Sequence, residues 1–228
     1  MKSPVYEPKG KAKEYGELAL NIYTGCPHKC WYCFAPGVLH KDREQFHTHV
    51  EPRPGIVEAV RKQLQQEQIT DRLVHLCFTC DPYPTGYDTS VTREIIQLLK
   101  EHGNHVQILT KGDGKRDFDL LDSGDWYGVT IDGQYEWNLY FCKLNALRYA
   151  KSLGIHTWVS FEPVLDAHNV LQIIETYHNY FDKVKIGKLN YHRSDIDWAE
   201  FGRDAEALCQ QLGLDYYIKE SLRAEMEK

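Results

Sequence analysis

Tyr23-Thr24-Gly25-Cys26-Pro27-His28-Lys29-Cys30-Trp31-Tyr32-Cys33-Phe34 is the stretch on which the reading of this chain turns. Its cysteines fall at i, i+4 and i+7. Three thiolates on one tight loop can hold three corners of a [4Fe–4S] cube, because soft sulfur ligands suit iron–sulfur clusters and the loop is short enough to wrap one face. The fourth iron then stays open. Gly25 and Pro27 keep the entry non-helical, and Trp31, Tyr32 and Phe34 are expected to screen the cluster from water. Zinc is the competing metal: His28 or His40 would add a fourth ligand, or Cys30-x2-Cys33 would join Cys77-x2-Cys80. The gap between those pairs is much longer than the roughly 15–20 residues usual for zinc, and Cys26 is left without a role. Three buried core cysteines fit a Gly/Pro loop least well.

The rest of the composition bounds the class. The chain has 228 residues, 42% apolar and 26% charged, enough to bury a substantial core. No apolar run approaches the roughly 20 residues that span a bilayer. Met-Lys-Ser-Pro-Val-Tyr-Glu at the start carries no hydrophobic signal core, so a cytoplasmic protein with no membrane partner is expected. Seven cysteines, an odd number with three clustered, point in a reducing compartment to thiolate chemistry or metal rather than a disulfide framework. Net charge is −6 and the pI near 6.0, so no global basic field draws the chain to nucleic acid. Lys2, Lys9, Lys11 and Lys13, and later Lys183, Lys185 and Lys188, read first as solvated surface.

Outward from the cysteines, short β-rich runs alternate with amphipathic segments. The expected strands are Leu18–Thr24, Leu73–Thr79, Val106–Thr110, Tyr127–Ile131, Thr157–Phe161 and Val184–Leu189. Helical patterns lie between them at Ile56 to Leu64, around Ile95 to Leu99, at Leu139 to Leu153 and at Val170 to Tyr177. Such βα repeats build parallel sheets with outer helices. Six units fit a partial (β/α)6 barrel or an open doubly wound sheet, and either collects chemistry at the strands' C-terminal ends. Cys26, Cys80-Asp81, Lys111, Asp132, Glu162 and Asn190 stand there. One domain over residues 1–228 is expected: an N-terminal arm (1–16), a core (17–190) and a C-terminal helical segment (191–228) ending in a charged, fraying helix from Lys219. Gly112-Asp113-Gly114 reads as a turn, His47 and His49 as solvent-facing, and Cys142 and Cys209 as core.

Cys26-x3-Cys30-x2-Cys33, with an aromatic before the last cysteine and just after the first strand, resembles the radical S-adenosylmethionine superfamily. The resemblance implies the radical SAM type of partial barrel. It also implies a [4Fe–4S] cluster whose open iron is chelated by S-adenosylmethionine, reductive cleavage to a 5′-deoxyadenosyl radical, and an electron donor such as flavodoxin or ferredoxin. The superfamily's usual Gly-Gly-Glu is absent. In its place stands Cys77-Phe78-Thr79-Cys80-Asp81-Pro82-Tyr83-Pro84. With Leu109-Thr110-Lys111, Arg116-Asp117 to Leu121, and Ser160-Phe161-Glu162-Pro163-Val164, this is similar to the spore photoproduct lyase-like branch, from roughly Leu18 to Val164.

Carried over by position, Tyr32 and Phe34 resemble aromatics that contact the cofactor. Thr79-Cys80-Asp81 resembles a Thr-Ser-Asp turn that holds the methionyl amine. Lys111 resembles a lysine that meets the methionyl carboxylate, Thr130 stands where the lyases have a serine, and Glu162 is counted with these cofactor residues. The lyases' hydrogen-donor cysteine corresponds to Phe78 here. By strand alternation Cys80 shares the side of Phe78 while Cys77 faces away, making Cys80 the substitute donor, with Tyr83 a second candidate for hydrogen or electron transfer. The chain is shorter than those lyases and lacks a basic surface, so photoproduct repair is not expected. The substrate class stays open between a nucleobase or nucleotide, a peptide and a small molecule; a zinc-stabilised binding module is the non-catalytic alternative.

Overall fold

The computed structural model describes residues 3–134 and 137–228. The chain forms two compact units, Met1–Trp126 and Tyr127–Lys228. The class is α/β, with eight mostly parallel strands.

The first unit carries β1 (Val5–Tyr6), β2 (Leu18–Leu20), β3 (Leu73–Leu76) and β4 (His105–Thr110), neighbours in that order. β2, β3 and β4 are parallel, with Leu20 opposite Leu76 and Leu76 opposite Ile108. Their ends are therefore level, and the loops that follow leave from one rim. The crossovers are α3 (Ile56–Gln66) and α4 (Ser90–Glu101), after two short helices, α1 (Ala35–Val38) and α2 (Arg43–Thr48). α3 buries Ile56, Val60 and Leu64, and α4 buries Ile95, Ile96, Leu98 and Leu99, the i, i+3, i+4 stripes read from sequence. Val74, Leu76, Val106 and Ile108 are wholly buried in the strands.

β1, which the expected N-terminal arm did not contain, runs antiparallel to β2. Its free edge is closed by Gln63, whose side-chain amide accepts from the Val5 N–H and donates to the Val5 carbonyl, both at 2.9 Å. One glutamine thus does the work of a neighbouring strand and blunts the edge.

In the second unit β5 (Trp126–Thr130), β6 (His156–Phe161), β7 (Lys183–Ile186) and β8 (Asp215–Ile218) follow in order, with β6, β7 and β8 parallel. The helices are α5 (Trp137–Ser152), α6 (Ala167–Tyr177), α7 (Trp198–Gln211) and α8 (Glu220–Met226). The C-terminal segment is therefore not purely helical: β8 lies between α7 and α8. The tail carries several ion pairs. Lys219 is buried and pairs with Glu162 at 3.1 Å, Arg223 forks onto Glu206 at 2.7 and 2.8 Å, and Lys188 bonds Glu225. Cys209 is buried as expected, but Cys142 is exposed, because α5 turns Leu144, Leu147 and Ala150 inward instead. Among the described residues no helix is long and apolar enough to cross a membrane.

Candidate cluster and cofactor site

The cysteine loop leaves β2 earlier than expected. β2 ends at Leu20, and Tyr23 makes only an isolated bridge to Pro52. Cys26, Cys30 and Cys33 are free and half-buried. α2 clamps them. Its N-cap Asp42 accepts from the Gln45 N–H at 2.9 Å, and from its first turn Arg43 sends Nη1 to the Cys30 carbonyl (3.0 Å) and Nη2 to the Cys33 carbonyl (2.9 Å). The Cys26 N–H donates to the Phe46 carbonyl at 3.1 Å, and Lys41 Nζ reaches the Thr24 carbonyl at 2.7 Å. Gly25 is where loop and helix come closest: a Cβ there would lie 2.4 Å from the Phe46 oxygen and 2.6 Å from that of His49.

His47 is buried rather than solvent-facing, with Nδ1 2.7 Å from the Cys26 carbonyl. The aromatic screen is more open than expected: Trp31 and Phe34 are 49% and 54% exposed. Burial pushes the Cys26 and Cys33 thiols up.

Zinc and an iron–sulfur cluster ask for different donor spacings. Four ligands on one zinc ion at about 2.3 Å stand within about 4 Å of one another. Among the described residues, the three donors that come within 4.8 Å of each other are His105, Asp122 and Asp125, and no cysteine is in that group. There Lys100 Nζ already pairs with both carboxylates, at 2.7 and 2.6 Å. The wider-set Cys26, Cys30 and Cys33 fit a group whose ligands bind separate iron corners.

The second turn follows β3, which ends at Leu76. Cys77 has φ +74°, so the strand alternation that separates Cys77 from Cys80 does not hold. Asn21 shapes the turn, its Oδ1 accepting from the N–H groups of Phe78 and Thr79 at 2.8 Å each. Cys80 Sγ accepts from the Tyr23 N–H at 3.3 Å, and Arg53 Nη2 lies 3.4 Å from Thr79 Oγ1. Phe78 stacks on His75 at 4.3 Å.

Asp81 joins the turns. Oδ1 accepts from the Tyr83 N–H (2.8 Å) and the Thr110 hydroxyl (2.5 Å); Oδ2 accepts from the Lys111 N–H (2.8 Å) and lies 3.1 Å from His28 Nε2. Burial alone would raise its pKa, but His28, the Lys111 N–H and the Thr110 hydroxyl outweigh it and hold the carboxyl below its ordinary value. Asp81 thus ties the cysteine loop, through His28, to the ends of β3 and β4. Lys111 reaches back with its side chain: Nζ bonds the Tyr32 hydroxyl and sits 4.9 Å from that ring's centre.

Tyr83 is buried, and its hydroxyl donates to Asp117 (3.1 Å), which Arg93 and Arg116 also hold. Gly112 passes so close beneath it that a Cβ would overlap the Tyr83 carbonyl. In the second unit, Thr130 ends β5 with its carbonyl accepting from Lys143 Nζ at 2.9 Å, and Glu162 follows β6 in its pair with Lys219.

The site has members that spacing could not reveal. Arg43, Asn21 and Arg53 carry no motif of their own, and each acts through a contact distant in sequence.

Residues 20–180 match the family model described as the radical SAM superfamily. The chain belongs to this superfamily. As a radical SAM enzyme it takes S-adenosylmethionine and an iron–sulfur cluster, and its three-cysteine loop is the part of the chain that fits the latter. Among solved structures it is similar to a spore photoproduct lyase variant, with 12% identity, TM-score 0.69, and coverage of 96% of this chain and 79% of that one. A second lyase structure, with bound AdoMet and dinucleoside spore photoproduct, gives 11%, 0.68, 96% and 79%. SuiB of Streptococcus suis, bound to its precursor peptide SuiA, gives 14%, 0.64, 92% and 50%. At these identities the likeness is one of fold, that of the radical SAM partial barrel. No curated protein sequence matches the chain.

Proposed function

We propose that this radical SAM enzyme, acting as one domain in the cytoplasm, abstracts hydrogen from a nucleobase- or nucleotide-containing substrate. The observation that carries the reading is the join between the two turns: a cysteine loop clamped by α2 and coupled through His28 and Asp81 to Thr79-Cys80-Asp81. Cys26, Cys30 and Cys33 would hold a [4Fe–4S] cluster, leaving one iron for S-adenosylmethionine. Together these groups supply a 5′-deoxyadenosyl radical when an electron donor of the flavodoxin or ferredoxin class delivers an electron.

The chain's own residues bind and orient. Lys111, placed by the Asp81 contact to its backbone and held against Tyr32, offers a cation to the methionyl carboxylate. Thr79 would face the methionyl amine, and Asp81, whose carboxylate is taken up by Tyr83, Thr110, Lys111 and His28, would hold that turn in place beside it. Phe34 and Tyr32 would flank the adenosyl group. Cys80 is the hydrogen donor. Tyr83 takes the lesser part, since its hydroxyl is committed to Asp117.

The nucleobase reading is supported by lyase structures that hold a dinucleoside spore photoproduct. The peptide reading draws on SuiB with its peptide, but only half of that chain is matched. Incubating reduced, reconstituted enzyme with S-adenosylmethionine in deuterated buffer tests the donor assignment. Wild type is expected to place deuterium in 5′-deoxyadenosine, and Cys80→Ala to form the unlabelled product. Equal label in both would remove Cys80 from the reaction.

A further inference from the structure

We propose that Arg53 is an anion subsite of the reaction centre and holds a phosphate of the substrate; that the phosphate belongs to a nucleotide rests on the reading above. The other arginines of the first unit are already matched. Arg61, Arg72, Arg93 and Arg116 each meet a carboxylate, and Arg43 bridges two carbonyls of the cysteine loop. Among the described residues, the Arg53 side chain meets only a hydroxyl, Thr79 Oγ1 at 3.4 Å, the long end of the hydrogen-bond range.

Its place is fixed on both sides. Arg53 stands between Pro52 and Pro54, which restrict the backbone, and Pro52 bridges to Tyr23. The Arg53 N–H donates to the Ile22 carbonyl at 2.8 Å, and its carbonyl accepts from the Ile56 N–H at 3.0 Å. The turn it faces is equally ordered: the Thr79 N–H donates to Asn21 Oδ1 at 2.8 Å, and Asn21 Nδ2 donates to the Tyr6 hydroxyl at 2.7 Å. Ile22 and Thr79 follow β2 and β3, so the guanidinium stands on the same rim as the cysteine loop.

A guanidinium stays charged at every working pH, and half-burying one without a counter-charge is unfavourable. Its Nε is shielded from water and has no partner, whereas Nη1 has no partner and is not shielded. One edge of the planar group is therefore fixed against the Thr79 turn while the other is open. A phosphate brings the missing negative charge and two oxygens spaced for the Nη1 and Nη2 donors. Lys111 is the cation assigned to the methionyl carboxylate, which leaves Arg53 for the substrate. On a chain of net charge −6 with no general attraction for anions, one local cation of this kind discriminates between a phosphorylated substrate and its neutral counterpart.

Calorimetric titration tests it. Reconstituted protein loaded with S-adenosylmethionine is titrated with nucleoside 5′-monophosphates, ribo and deoxy, and with the matching nucleosides. Wild type is expected to bind at least one monophosphate about tenfold tighter than its nucleoside, and Arg53→Gln to lose that preference at an unchanged melting temperature. Arg53→Lys, which keeps the charge without the fork, is expected to retain part of it. A wild type without the preference, or an Arg53→Gln that keeps it, would overturn the proposal. So would an Arg53→Gln whose affinity for S-adenosylmethionine falls by the same factor, since the guanidinium would then belong to the methionyl carboxylate. Nucleosides and monophosphates binding alike removes only the Arg53 assignment, whereas neither binding removes the nucleotide reading with it.

Discussion

Arg43 spends both guanidinium nitrogens on carbonyls of the cysteine loop, which fixes the directions of Cys30 and Cys33 before any metal arrives. Both contacts are solvent-exposed, so their joint worth to folding is only about 1 kcal/mol. The effect of Arg43→Ala is therefore expected in iron content after reconstitution, which falls while the melting temperature changes little. Arg43→Lys should not restore it, since a point charge cannot bridge two carbonyls. Asp81 behaves oppositely. Three hydrogen bonds converge on a buried carboxylate that also lies beside the His28 ring, and Asp81→Asn should cost about 3 kcal/mol at neutral pH. Because its folded pKa is depressed, the contribution is complete above the unfolded value near 3.8 and is lost as pH falls through the lower folded one. Denaturant titrations across pH should show the gap between wild type and Asp81→Asn closing below about pH 4. Cys26, Cys30 and Cys33 stand out in the sequence because their spacing is local. Arg43 and Asn21 were not, because a side chain that serves a distant backbone leaves no local signal.

At the scale of elements, three of the six strands read from sequence, those matching β2, β3 and β7, run three or four residues too far at their C-terminal ends, while the other three end within one residue of the observed strand. Tyr23 and Cys77 have strand-like composition, yet β2 and β3 stop before them, and at Cys77 the backbone turns left-handed. That is why alternation misplaced Cys77. The loop–helix contact at Gly25 gives a prediction: Gly25→Ala drives a Cβ into two backbone carbonyls, which cannot swing aside, and should destabilise the first unit by about 1–3 kcal/mol and lower iron uptake, read by melting and iron assay. β8 escaped detection for a different reason. Asp215-Tyr216-Tyr217-Ile218 is four residues long and opens on a charge, too short for a periodic signal, and its strand character comes from pairing with β7. α8 is then anchored by Lys219, whose side chain is 1% exposed in its pair with Glu162. Lys219→Ala should cost about 3–5 kcal/mol by stranding the carboxylate, and Lys219→Met with Glu162→Gln should recover most of it, as calorimetry would show.

For the whole molecule, the alternation of strand and helix carried the α/β class, the family match carries the radical SAM assignment, and the similarity to solved structures carries the partial barrel. Periodicity alone left a barrel and an open sheet equally admissible, because both are built from the same βα unit. Net charge of −6 argues against a surface that grips duplex DNA, and so against transferring the lyases' reaction along with their fold. The central claim is that Cys26, Cys30 and Cys33 together hold a cluster that cleaves S-adenosylmethionine. The most direct measurement compares 5′-deoxyadenosine formed by anaerobically reconstituted, reduced wild type with that formed by Cys30→Ala under the same conditions. Product from wild type and none from Cys30→Ala is the result predicted; equal product from both, or a wild type that binds no iron, would contradict it.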